Sequence, residues 1–276
     1  EFVEDDDGRG RLPRLVEDLP QVVFRLADPL ALQLWAGDDG DRRADLAGQG
    51  LHATFFIATG FLDGGRMWND TIIESVRGAQ IDEFDAGFLG LGCLPLETVE
   101  EKRVAFESLI QAVKHRPQVE RQEYVQRIAE ACQSPLPDDL MLTRMQLQTL
   151  RQSGMEIGAH TINHPILAKL DDVNATREIA EGRDVLEGLL GEKISLLAYP
   201  NGKLGADYTA RHAGMAKALG FSAAVSTNWG VCNRKSDRYQ LPRFTPWDSS
   251  KWRFGTRCLG NYCRSDAALV SAGKSI

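Results

Sequence analysis

The chain has 276 residues, 43% hydrophobic and 26% charged, enough apolar material to bury a core and too much for an intrinsically disordered polymer. No apolar run approaches the roughly 18–20 residues a membrane-spanning helix needs, which excludes a span of that kind. Lys and Arg number 32 against 39 Asp and Glu, a net charge of −7 with no concentrated basic block, so nucleic acid is excluded as the main partner.

In chain order, residues 1–50 have an irregular texture. Acidic residues 4–7 are followed by Arg/Leu/Pro mixtures and then by a stretch crowded with Asp, Arg and Gly at 37–50. Within it, LALQLWA at 30–36 has strand-like apolar density. From Leu51 the pattern becomes orderly. ATFFIA at 53–58 reads as a strand buried on both faces of a parallel sheet. Residues 66–135 read as largely helical: Asn69 or Asp70 caps a helix carrying Ile72, Ile73 and Val76, and helices follow at 97–113 and 123–132. Strand and helix then alternate. A helix at 143–152 stops at Ser153-Gly154, MEIGA at 155–159 is a strand, and a long amphipathic helix covers 171–190. ISLLA at 194–198 is a strand before the turn Pro200-Asn201-Gly202, a helix covers 206–219, and FSAAV at 221–225 is the next strand. Such alternation implies a parallel sheet or barrel wrapped by helices, with functional residues just past the strand C-termini.

The five cysteines are an odd number at irregular spacing, and Cys258/Cys263 lack the second pair a zinc ribbon needs, so free or structural thiols are expected. The chain begins at Glu1 without Met and without the apolar core of a signal peptide, which reads as part of a longer open reading frame. Cytoplasm and cell envelope both stay open as its compartment.

The strongest chemical signal is EIGAHTINHP at 156–165. His160 ends a strand and His164 lies in the following turn, so both can close on one metal ion, and neutral imidazole suits Zn²⁺. No Glu follows His160, so the helix-borne HExxH arrangement of metalloproteases is excluded. The plain alternative is two polar loop histidines with no ligand role.

Together with ATFFIATGFL at 53–62, LLAYPNG at 196–202, ALGFSAAVST at 218–227 and LPRF at 241–244, this stretch resembles the polysaccharide deacetylases of the NodB-homology type. The ordered set spans residues 51 to about 250. The resemblance implies an α/β fold, a distorted (β/α) barrel carrying a helical insertion at about 66–140. It implies a catalytic domain over 51–255, preceded by an atypical segment at 1–50 and followed by a tail at 256–276. It also implies a Zn²⁺ or similar divalent ion in an Asp-His-His site, and hydrolysis of N- or O-acetyl groups on a carbohydrate.

Position by position, the resemblance makes His160 and His164 the metal-binding histidines. The family's first motif, TFDDG, supplies a catalytic base and a third ligand. Its best counterpart is Asp38-Asp39-Gly40 behind the LALQLWA strand, with Asp38 as base and Asp39 as ligand. The preceding Thr-Phe is missing, and the 12 residues at 41–52 are too few for a full connecting helix. A solvated turn is the alternative reading of this Asp pair. The texture change before residue 50 leads to the expectation that this segment is not native to the fold. In the third motif Asn201 stands where the family has a Tyr, and its backbone N–H is placed to hold an oxyanion. The family's Arg position is Ala198, so Arg243 is expected to bring a guanidinium near the catalytic Asp, with a structural salt bridge as the alternative. Tyr199 either lines the pocket or is a core tyrosine with a satisfied hydroxyl. Trp229 either offers a sugar-stacking face or simply packs. No histidine follows His212, which the pattern puts on a helix surface, so the family's general-acid histidine has no counterpart. Asp248 or a water relay is left for that role. A competing expectation is a catalytically degenerate member of the fold that binds a glycan or a partner.

Overall fold

A computed structural model describes residues 53–233, 236–243 and 250–262. Asp38 and Asp39, with the strand read at 30–36, lie outside the described residues, as does Asp248. Two compact units emerge. One comprises Asp63–Leu142; the other contains the described residues before and after it.

The second unit is built on a parallel four-stranded sheet in the order β1 (Thr54–Ile57), β4 (Glu156–Ala159), β5 (Leu196–Ala198), β6 (Ala223–Val225). Among the described residues this sheet is open, so the closed barrel expected from the resemblance is not seen. Its strands are three or four residues long, and helices pack against it. Helices α4 (Arg144–Gln152), α5 (Asp172–Leu190) and α6 (Ala210–Ala218) alternate with these strands, and α7 (Lys251–Tyr262) follows them.

Local chemistry accounts for the boundaries. Thr143 and Gln146 form a reciprocal capping box at the start of α4. The Asp171 side chain accepts the Asn174 N–H at the start of α5, and Gly191 ends that helix at φ 68°. α5 buries Ala175, Ile179 and Leu186 along one face, and a carboxylate, Glu178, with them. Register pairs Phe56 with Gly158 across β1 and β4, and the ring lies within 2.5 Å of where a Gly158 Cβ would stand. The absent side chain is what lets that ring cross the sheet.

The Asp63–Leu142 unit holds α1 (Trp68–Arg77), α2 (Val99–Val113), α3 (Gln118–Cys132) and an antiparallel pair, β2 (Glu83–Asp85) with β3 (Cys93–Pro95). Met67, not Asn69 or Asp70, is the N-cap of α1; both polar residues are buried within its first turn. Lys102 Nζ donates to the Arg77 and Ala79 carbonyls at 3.1 Å each, satisfying the C-terminal end of α1. The Arg121 guanidinium lies 5.0 Å from the Trp68 ring centroid. Cys93, Cys132 and Cys258 are free thiols, and burial pushes the Cys132 thiol up to about 11, a setting that disfavours its reactive thiolate.

Candidate metal centre

All four strands of the parallel sheet point the same way, so the segments leaving their C-terminal ends share one side of the sheet. Thr59 follows β1, His160 follows β4, Asn201 follows β5 and Asn228 follows β6. A single-residue parallel bridge between Val225 and Leu241 extends the sheet, and Arg243 stands two residues beyond it.

His160 is 1% exposed and His164 is 5% exposed, with ring centroids 4.8 Å apart. His160 Nδ1 lies 2.5 Å from the Ala198 carbonyl oxygen. A carbonyl only accepts, so Nδ1 carries the proton and Nε2 carries the lone pair, the tautomer a metal ligand needs. Burial, then the neighbouring His164, holds His160 well below the usual imidazole range, which keeps it neutral. The donor set therefore fits a divalent transition metal as far as two imidazoles can. Among the described residues no group of three His, Cys, Asp or Glu is placed to hold an ion.

The loop between the histidines has unusual backbone geometry. Thr161 has φ 66° and His164 φ 52°, left-handed values that are costly for non-glycine residues and above all for a β-branched one. Six hydrogen bonds hold it. The Thr161 carbonyl accepts the Thr59 N–H and the Ile162 carbonyl the Gly60 N–H, while Thr161 Oγ1 accepts the His164 N–H at 3.1 Å. From α5, Glu178 Oε2 accepts the Ile162 and Asn163 N–H groups at 3.0 and 2.9 Å, and Oε1 accepts Asn163 Nδ2 at 2.8 Å. Glu178 is absent from the sequence reading. Its signal was an acid on the apolar face of a helix, beside Ala175, Ile179 and Gly182, where a charge has no reason to sit without a partner.

Asn201 also lies in the left-handed region, at φ 59°, and its carbonyl accepts Thr227 Oγ1 at 2.8 Å. Arg243 is anchored by its backbone N–H to the Asn228 carbonyl, and its guanidinium lies 5.7 Å from the Phe56 ring centroid. Burial lowers Arg243 to about 10. Among the described residues, Thr59 Oγ1, Asn201 Oδ1, Asn228 Nδ2 and Arg243 Nε and Nη2 are buried and have no hydrogen-bond partner. Buried polar groups are nearly always satisfied, so such a collection at the strand ends calls for something to satisfy it.

Tyr199 is fully buried, stacked on Tyr208 at 4.0 Å, and its hydroxyl donates to the Tyr239 carbonyl. Burial pushes its phenol up. No face of it is open to a sugar, so of its two sequence readings the core one fits this geometry. Trp229, by contrast, is 39% exposed beyond β6.

The surface position expected for His212 is corrected: it is fully buried. Nδ1 accepts the Thr209 N–H at the start of α6, and Nε2 donates to the Leu167 carbonyl at 3.1 Å. Both nitrogens are committed, which removes His212 as a general acid. Burial, then the Arg211 charge, lowers its pKa, so the folded state resists a proton that the unfolded chain takes up near ~6.5. Stability therefore declines as pH falls through the window below that value. In His212→Gln, whose amide can serve the same capping box, the gap between melting temperatures at pH 7.5 and pH 5 is expected to shrink; an unchanged gap would contradict this assignment.

A parallel α/β sheet with two buried imidazoles at the end of a central strand defines a candidate metal-centre protein. Comparison with known proteins gives what the chain is similar to. Residues 113–224 match the polysaccharide deacetylase family model. A Bacillus subtilis (strain 168) protein named "Putative polysaccharide deacetylase YxkH" is 26% identical over 102 residues, 37% of this chain and 35% of that protein. The chain thus aligns with about a third of that relative's length. Among solved structures, the deacetylase PplD of Streptococcus pyogenes in complex with acetate is 29% identical over 37% of this chain and 44% of that one, with a TM-score of 0.35. The BpsB deacetylase domain of Bordetella bronchiseptica is 12% identical over 80% and 66%, with a TM-score of 0.41. The resemblance to polysaccharide deacetylases carried by the motifs holds over the matched stretch. No helix among the described residues is long and apolar enough to cross a membrane.

Proposed function

We propose that this chain is a metal-dependent hydrolase of the NodB type that removes N- or O-acetyl groups from a carbohydrate. The observation that carries the reading is the buried pair His160 and His164 at the C-terminal end of β4, with His160 held neutral, inside the stretch that matches the deacetylase family. In this reading both Nε2 atoms bind Zn²⁺, with Asp39 as the third ligand. The ion, when bound, supplies Lewis acidity toward the acyl oxygen and toward an attacking water. Asp38 takes the proton from that water. The Asn201 backbone N–H faces the developing oxyanion, and the buried guanidinium of Arg243 keeps Asp38 ionised. Trp229 offers an exposed ring for a sugar. The strained loop and the unsatisfied polar atoms of Thr59, Asn201, Asn228 and Arg243 support a site here, because both are features that binding would compensate.

Acetate release from acetylated chito-oligosaccharides, from O-acetylated sugars and from small acetylated amines tests the reading. Zinc-dependent, chelator-sensitive release from either sugar class supports it. Release only from the small amines, or from none, contradicts it.

A further inference from the structure

We propose that Glu178, on α5 and outside the histidine motif, is the positioning residue that sets the loop carrying the two proposed zinc ligands. The inference rests on the metal-site reading above.

His160 is fixed from the sheet, because β4 delivers it and the Ala198 carbonyl holds its Nδ1. His164 comes four residues later, after the strand has ended, and its backbone N–H donates to Thr161 Oγ1 within the loop. What fixes residues 161–163 therefore sets where the His164 backbone stands.

Glu178 binds that interval at three points: two successive backbone N–H groups on one carboxylate oxygen and the Asn163 amide on the other. One helical turn further on, Gly182 lies against the Thr161 backbone, so a single face of α5 holds the whole interval. A buried acid is a poor choice for stability alone, since an apolar residue on that face would avoid the desolvation of a charge. Left-handed residues persist only where their surroundings over-determine them, and Thr161 and His164 flank the clasped segment. Removing the carboxylate leaves two adjacent backbone donors to find new partners, and the loop must turn to do so.

The test is Zn²⁺ affinity of the whole chain, measured by competition with a chromogenic chelator, beside circular dichroism and thermal melting. Outer-shell partners of metal ligands typically cost about 10–100-fold in metal affinity when removed. Glu178→Ala is expected to fall in that range, with Glu178→Gln between it and the parent, because the amide oxygen still accepts the two backbone N–H groups. Ile179→Val, a core trimming on the same helix that touches no loop donor, is expected to lower the melting temperature yet bind zinc within about threefold of the parent; this separates positioning from general destabilisation. A folded Glu178→Ala that binds zinc within about threefold of the parent overturns the inference. Should Glu178→Ala not fold, Glu178→Gln decides: binding weakened at least about threefold upholds the inference, and parent affinity overturns it. A parent chain that binds no zinc overturns the metal-site reading and this inference with it, whereas a zinc-binding parent with unaffected variants overturns this inference alone.

Discussion

Chains carrying His160→Gln or His164→Gln are expected to lose at least about a thousandfold in acetate release while keeping the parent's circular dichroism spectrum. Glutamine is the informative substitution at His160. Alanine would leave the Ala198 carbonyl without its donor and open a cavity at a site only 1% exposed, confounding folding with function. A glutamine amide can still donate to that carbonyl, but it offers no imidazole lone pair to a metal. A lost hydrogen bond costs stability of about 0.5–1.5 kcal/mol, whereas a lost ligand removes the Lewis acid and with it several kcal/mol of barrier lowering. The effect on turnover therefore exceeds that on folding. Activity within tenfold of the parent in both variants would refute the site.

The second large effect is expected at Gly182. A Cβ there would stand 2.7 Å from the Thr161 carbonyl carbon, 2.8 Å from its oxygen and 3.0 Å from its Cα, all backbone atoms that cannot swing aside. Either the helix or the loop must move. Alanine gains up to about 1 kcal/mol of helix propensity over glycine, but overpacking costs about 1–3 kcal/mol, so Gly182→Ala is expected to be net destabilised. Displacing the loop by about 1 Å is expected to reduce turnover about 100-fold. Gly188 on the same helix provides the contrast. Nothing lies within 4 Å of its added Cβ and it is exposed, so Gly188→Ala is expected to stabilise by about 0.5–1 kcal/mol and leave turnover unchanged. Melting temperatures and acetate release on the two variants decide this; equal behaviour would contradict it.

Much of the second unit was legible because its punctuation is chemical and local. Thr143, Asp171 and Gly191 mark helix ends through interactions three or four residues long, and the apolar runs at 54–57 and 156–159 have no competing period. Elements without such marks were missed or shifted. β2 and β3 are three residues each around a glycine-rich turn, too short to show alternation, and were read as helical. α6 begins at Ala210 rather than 206 because the Asp207 side chain and the Lys203 carbonyl hold a turn there. The exposed helix α7 was not anticipated. Its large apolar residues Trp252, Phe254 and Leu259 face solvent.

At the site, the histidine motif was legible as a spacing, and its burial followed from the strand before it. What surrounds it was not, because those partners come from distant sequence. Glu178 meets Ile162 sixteen positions away, and His160 meets Ala198 thirty-eight positions away. His212 shows the same limit: its burial depends on the Leu167 carbonyl, 45 positions off, which no helical pattern reveals.

The central claim is that His160 and His164 hold a metal ion. Zinc content of the purified chain after exhaustive dialysis, determined by elemental analysis beside a His160→Gln/His164→Gln control, tests it most directly. About one zinc per chain, lost in the control, is the result predicted here, and it would require a third ligand beyond the two histidines. A folded parent chain that retains no zinc would contradict the account.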